Sequence, residues 1–445
     1  MKKRLWMAVG PLGIFLIACS GGGGGGSGAS ALATGSASPL SPVSQSDPAG
    51  GATAVPVSTP ASEAPAVIPG PTVYPAAGGS DQTDTLQQTL DGLQPGQGMV
   101  FAPGQYIVSR SLQVTTPGVV ISGYGATLVS TNASDQAIVM SGAGSTLVGL
   151  TLVGTGTTRL TTPASAKVEV TGSNIQVLGV TIRGGASAGI FVFGGTDVAV
   201  VDNNVTSTLA DGIHMTYGSH NVLVQGNTVT GTGDDMVAVV SYQGDGALSS
   251  NVLITGNALS GNPWGRGVSV VGGADVTITQ NTVQGVQKAA GVLVAQEDSY
   301  QTYGATNVLV TDNVISDIEN STHPSNTLPA AQEAAIDLNT GSGSVTLVSV
   351  TGNQVSRSNY AGFRALGNVC QFFVSGNAFE SIAGTPVSLL STGCAPSQSI
   401  VGVNTLFGVA LAAPAGSSES GTLNVTGADV SLLPKVRAYL MQPAS

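Results

Sequence analysis

Asn221-Val-Leu-Val-Gln-Gly-Asn227 returns as Asn251-Val-Leu-Ile-Thr-Gly-Asn257, as Asp275-Val-Thr-Ile-Thr-Gln-Asn281 and as Asn307-Val-Leu-Val-Thr-Asp-Asn313. An earlier copy reads Asp197-Val-Ala-Val-Val-Asp-Asn203. The closing Asn steps by 24, 30, 24 and 32 residues from Asn203 to Asn313. Alternating apolar residues make each copy a short strand. A strand that returns at such a period defines stacked coils, each one supersecondary unit, rather than a single globular core. Residues a coil apart in sequence then lie ~4.8 Å apart in space. The closing Asn residues become a structural column, stacked amides that satisfy one another and the turn backbone.

Composition agrees. Only 8% of residues are charged and 63 are glycine, as strands and tight turns around stacked Val, Ile and Leu require. The fold expected is all-β, a right-handed parallel β-helix over residues 79–412, with about ten to twelve coils between Val114 and Ala410. Leu86, Leu90 and Leu93 keep a helical spacing, so a short helix caps the N-terminal end, with Asp84 in its first turn. A cap is needed because an open coil end exposes core and unpaired strand edges. Residues 413–445 read as a tail or cap, with Leu432–Met441 the segment expected over the C-terminal end. Insertions at Tyr242–Ser250, Asp298–Thr306 and Ile318–Glu333 are expected as loops over the scaffold, where binding is usually placed.

The first 19 residues read as a targeting segment, with Lys2, Lys3 and Arg4 before an apolar run too short and interrupted to span a membrane. Leu16-Ile17-Ala18-Cys19 resembles a bacterial lipobox, which implies lipidation of Cys19. The following Ser20 favours the outer membrane by the same resemblance. Residues 20–78 are a Gly/Ser/Ala/Pro-rich stretch with almost no charge, read as a disordered tether. The net charge of −11 argues against nucleic acid as partner. Cys370 and Cys394 lie about one coil apart, so a disulfide and two buried thiols are both compatible with the spacing.

The strand after each repeat phrase reads Asp211-Gly-Ile-His-Met, Asp235-Met-Val-Ala-Val, Arg266-Gly-Val-Ser-Val and Ala290-Gly-Val-Leu-Val. Ile213, Val237, Val268 and Val292 share an inward column, while His214, Ala238, Ser269 and Leu293 alternate outward. Asp337 falls in His214's column across a longer insertion. Asp211, Asp234 and Asp235 thus meet on one face, with Arg266 one coil away. Like charges this close raise at least one carboxyl pKa, and one protonated beside one ionised carboxyl is the pair that acid–base chemistry needs. Each Asp also suits a plain corner, since Asp and Gly tolerate turns. Clustered carboxylates suit calcium as well, although no local calcium loop supports it and no cofactor is implied. Arg266 is a substrate contact, a salt-bridge partner of Asp235, or both. His214, Trp264, Tyr242 and Lys288 are further substrate-binding candidates; Glu297 and Asp298 share their flank.

Asp211-Gly-Ile, Gly233-Asp234-Asp235 and Gly265-Arg266-Gly267-Val268-Ser269 resemble, in order and spacing, the motifs of glycoside hydrolase family 28, which contains polygalacturonases and rhamnogalacturonases. The resemblance implies Asp234 as general acid and Asp211 with Asp235 as the pair that activates water, giving inversion. Leu209-Ala210 replaces the family's Asn-Thr, Arg266 replaces its His, and Leu293-Val294-Ala295 replaces its Arg-Ile-Lys. The missing basic pair implies a polysaccharide other than pectin. The expectation is therefore a monomeric, polysaccharide-active glycosidase of the bacterial envelope, held to the membrane through its lipid alone. Two alternatives stay open. One is a polysaccharide lyase or C5-epimerase acting on a uronate polymer, in which Arg266 or Lys288 is central. The other is a non-catalytic glycan-binding surface lipoprotein.

Overall fold

A computed structural model describes residues 63–67, 72–76, 78–320 and 331–440. The targeting segment, Cys19 and most of the tether lie outside the described residues. The body is a parallel β-helix of three sheets with 13, 11 and 13 strands. The repeat phrase forms the first sheet, with strands Thr196–Val201, His220–Gln225, Ser250–Thr255, Gly273–Thr279 and Ala305–Thr311 in parallel register. Short strands such as Asn204–Thr206 and Thr228–Thr230 follow in the second sheet. Ile190–Phe193, Ile213–Thr216, Val237–Val240, Val268–Val271 and Val292–Gln296 belong to the 11-stranded third sheet. Alternate residues, among them Val222, Val224, Ile213 and Val237, are fully buried and stack as one core along the coils.

Both ends of the phrase have a physical cause. Its first residue (Asp197, Asn221, Asn251, Asp275, Asn307) has φ between 51° and 56°, a left-handed conformation that Asn and Asp tolerate best among residues with a Cβ. Its last residue forms a ladder. The Asn203 side-chain amide donates to Asn227 Oδ1 at 2.9 Å, and Asn227 does the same to Asn257. The ladder runs beyond the repeats read from sequence, through Asn313, Asn353 and Asn377 to Asn404.

Helix α1 (Thr83–Gly92) covers the N-terminal end, with Leu86 and Leu90 buried and Asp84 in its first turn. The far end is closed by a small antiparallel pair, Thr405–Leu406 with Val409–Ala410, and by Leu411 packed against the core. The segment expected there, Leu432–Met441, lies elsewhere as far as it is described. After residue 421 the chain doubles back across the outside of the first sheet. Asn307 receives the Thr426 N–H, Thr277 the Ala428 N–H, Asn251 the Asp429 N–H and Gln176 the Arg437 N–H. The reason is apolar surface. Val148, Leu178, Val201, Leu223 and Leu253 form an apolar cluster along this sheet, and Ala428 and Leu433 of the return segment bury against it. Arg437–Leu440 finally pairs in parallel with Glu63–Val67. Cys370 and Cys394 form a disulfide between neighbouring coils, with Cα atoms 5.5 Å apart. Among the described residues no helix is long and apolar enough to cross a membrane.

Candidate active site

The corner between the second and third sheets carries the carboxylates. Strand register puts Asp211, Asp235, Arg266 and Ala290 at one position of successive coils, because Ile213 pairs with Val237, Val237 with Val268 and Val268 with Val292. The tight stacking needs Gly265, where a Cβ would collide with the Asp234 backbone. Carboxylate oxygens of Asp211, Asp234 and Asp235 lie within 4.8 Å of one another. Their side chains are 12%, 21% and 8% exposed, so Asp234 is the member most open to solvent.

Each carboxylate has a different setting. Asp235 accepts the Arg266 backbone N–H at 2.7 Å on one oxygen and the Ser269 hydroxyl at 2.5 Å on the other. Burial pushes it up, against the pull of Arg266. Asp211 Oδ2 faces His214 Nδ1 at 2.6 Å. An ionised carboxylate can only accept, so His214 carries its hydrogen on Nδ1. His214 is an outward residue of its strand yet buried, and its Nε2 has no hydrogen-bond partner among the described residues. Asp234 Oδ2 pairs with Arg159 at 2.5 Å. Burial and then Asp211 push Asp234 above the ordinary carboxylate range, while Arg159 and Arg266 pull it down.

Arg159 is the site residue that the sequence reading missed. It comes from the insertion between strands Thr151–Val153 and Val168–Val170, 75 residues before its partner. That insertion is as long as those read as loops, and this is the signal that would have found it. Arg266 is spent on anions: its guanidinium lies 3.0 Å from Glu297, 3.2 Å from Glu333 and 3.9 Å from Asp235. Burial works to raise Glu333, but Arg266, the Ala290 N–H and Arg364 together hold the group low, while burial raises Glu297.

The insertions Tyr242–Ser250 and Asp298–Thr306 meet each other on the opposite flank of the third sheet. Tyr242 bridges Thr302, and the Gln243 N–H donates to the Gln301 carbonyl at 2.9 Å. Burial and then Asp211 and Asp234 push the Tyr242 hydroxyl up; Tyr300 responds to burial and Asp234 in the same way. Trp264 is 40% exposed, whereas Lys288 is buried. Asp337 does fall in His214's column, in register with Leu293, and pairs with the buried Arg364 at 2.8 Å. Burial pushes Asp337 up to about 7. A hard cation suits three clustered carboxylates; here Arg159 takes Asp234 Oδ2, and the Arg266 N–H and the Ser269 hydroxyl take the two oxygens of Asp235. The arrangement is one of proton donors and acceptors on a walled surface.

A parallel β-helix with a carboxylate cluster on one outer face defines a solenoid scaffold with a grafted site. The chain belongs to the right-handed β-helix family: the family described as "Right handed beta helix region" matches residues 114–283 and 217–379. Among solved structures it is similar to the catalytic domain of a GH87 α-1,3-glucanase in complex with nigerose, at 15% identity and a TM-score of 0.56, covering 82% of this chain and 70% of that one. It is similar to the polygalacturonase of Erwinia carotovora ssp. carotovora, at 16% identity and a TM-score of 0.54, covering 77% and 96%. The Dettilon tailspike protein matches at 14% identity and a TM-score of 0.51, covering 72% and 68%. At these identities the likeness is one of fold. No curated protein sequence matches the chain.

Proposed function

We propose that the protein is a glycoside hydrolase acting on a polysaccharide. The observation that carries this reading is the meeting of Asp211, Asp234 and Asp235 within 4.8 Å, with Asp234 raised and most exposed. In this reading Asp234 protonates the leaving glycosidic oxygen. Asp211, oriented by His214, takes the proton of the attacking water. Asp235, with both oxygens already bonded, holds the Arg266 backbone and fixes the corner. The glucanase and polygalacturonase share of the fold's neighbours is consistent with carbohydrate chemistry.

One observation favours a second stereochemical course. Carboxylates this close match the direct-attack geometry better than the ~6.5–9.5 Å separation that leaves room for a water. Asp211 is then a nucleophile and the anomeric configuration is retained. NMR of the first-formed anomer separates the two courses. The lyase and epimerase alternatives have less support, because Arg266 is committed to three carboxylates and Lys288 is buried.

The test is release of reducing ends from a panel of acidic and neutral polysaccharides, with Asp234→Asn as control. New ends that vanish in the variant support hydrolysis. Products absorbing in the near ultraviolet would instead mark a lyase, and binding without cleavage a glycan-binding module. Lipidation of Cys19 and an envelope location belong to the same proposal. Metabolic labelling with a fatty acid, lost in Cys19→Ser, tests them.

A further inference from the structure

One coil before Asp211, the outer face of the third sheet changes character. Aromatic residues make up only 4% of the chain, yet three of them stack here. Phe191 and Phe193 alternate outward on one strand with ring centroids 5.6 Å apart and planes at 16°. Phe193 stacks on Tyr217 at 4.5 Å and 21°. The row runs into the site without a break: Phe191 lies 5.2 Å from the His214 ring, and His214 touches Asp211.

Tyr217 stands at a position made for glycine. Register aligns it with Gly194 before it and, through Ser241, with Gly272 after it. Both glycines have positive φ, and Tyr217 has φ 58°. A bulky residue in the left-handed region carries strain of about 1 kcal/mol or more, and such outliers persist where the side chain has a use. This ring is 41% exposed, so core packing is not that use. Two polar atoms on the same strand face, His214 Nε2 and Thr216 Oγ1, are buried with no hydrogen-bond partner among the described residues. A flat, exposed apolar ring suits the apolar face of a pyranose. The residue in register with Phe191 on the preceding coil is Glu169, a carboxyl that burial pushes up and to which a second carboxylate alongside would be unwelcome.

We propose that Tyr217, backed by the stacked rings of Phe193 and the buried Phe191, forms a stacking subsite for an uncharged sugar ring of the same polysaccharide chain, which lies along the coil axis toward the carboxylates. This inference rests on the polysaccharide reading above. Glu169 and Asp211 on either side exclude a uronate from this position. The exposed Tyr217 ring is the part of the platform that a glycan reaches first.

The experiment compares Tyr217→Gly, Tyr217→Trp and wild type, using dextran, galactomannan, alginate and polygalacturonate as probes. Cleavage kinetics and retardation in polymer-containing native gels are both read, together with Tm. Tyr217→Gly adopts the neighbouring glycines' conformation, so its Tm holds or rises. Its KM on the neutral polymer that wild type cleaves rises about five- to tenfold with kcat nearly unchanged, while Tyr217→Trp keeps the wild-type KM. If wild type cleaves a polymer and Tyr217→Gly leaves KM unmoved, the platform is wrong and the hydrolase reading stands. If nothing is cleaved but neutral-polymer retardation is lost in Tyr217→Gly, the hydrolase reading fails and the platform stands. Retardation by uronate polymers alone, or by none of the four, overturns the platform.

Discussion

Two corners of the same coil behave in opposite ways. Where the first sheet turns into the second, every coil from Asn203 to Asn404 repeats one residue, and each amide hands a hydrogen bond to the next. Where the second sheet turns into the third, the residue changes at each step: Asp211, Asp235, Arg266, Ala290. The first corner solves a backbone problem common to all coils, the satisfaction of buried N–H and C=O groups at a turn. The second holds charges that no coil needs in order to stack, and surrounds them with side chains from insertions far apart in sequence. On a solenoid, repetition marks architecture and its interruption marks chemistry.

Substitutions at each corner should therefore separate activity from stability. The largest effect is expected for Asp234→Asn, with turnover down by about 10²–10⁴-fold and thermal unfolding unchanged. A variant that melts early would show the acid corner to be structural. Asn281→Ala cuts the ladder in its interior. It deletes donors to Ile254, Thr279 and Asn313 and strips the acceptor from two Asn257 donors, so a loss of about 2–4 kcal/mol follows in denaturant titrations. The folded fraction should cleave normally.

A pH measurement sharpens the acid corner. Arg159 pulls Asp234 down, so removing it lets the carboxyl keep its proton to higher pH. Activity that needs protonated Asp234 falls as pH climbs through that pKa. In Arg159→Met the alkaline limb of the pH–rate profile should move upward; a limb that stays put, or moves down, would remove Asp234 from the role of acid. The smallest effect is expected for Asn203→Val, at about 1 kcal/mol. It removes the first rung and three bonds rather than five: the Val180 N–H loses the Asn203 acceptor, and the Val177 carbonyl and Asn227 Oδ1 each lose a donor. A loss as large as that of Asn281→Ala would show the ladder to act as a single unit.

The same contrast explains what could be read from the chain. The fold was legible because the phrase begins with a left-handed Asn or Asp and ends on a ladder Asn, two local demands that recur. The earliest coils fill the ladder position with Ala126, Leu150 and Val180, buried apolar residues that leave no signature. Asp211, Asp234, Asp235, Arg266 and His214 were legible because register follows from the period. Arg159, Glu333 and Tyr300 were not recognised as site residues, since insertions break the period and only the folded chain shows where they return. The return segment was misplaced for a similar reason. Its partners Asn251 and Asn307 belong to the repeat phrase, and nothing in that repetition marks their amides as the anchors of a returning chain.

That return segment also bears on how the molecule can evolve. Solenoids commonly lengthen or shorten by whole repeats, because each repeat touches only its neighbours. Here Thr426 to Arg437 reaches from the strand of Asn307 to that of Gln176, joining residues 119 to 261 apart in sequence. A duplicated coil between those anchors would leave the segment short by one strand spacing, ~4.8 Å. The chain has thereby fixed the number of coils beneath its catalytic candidates.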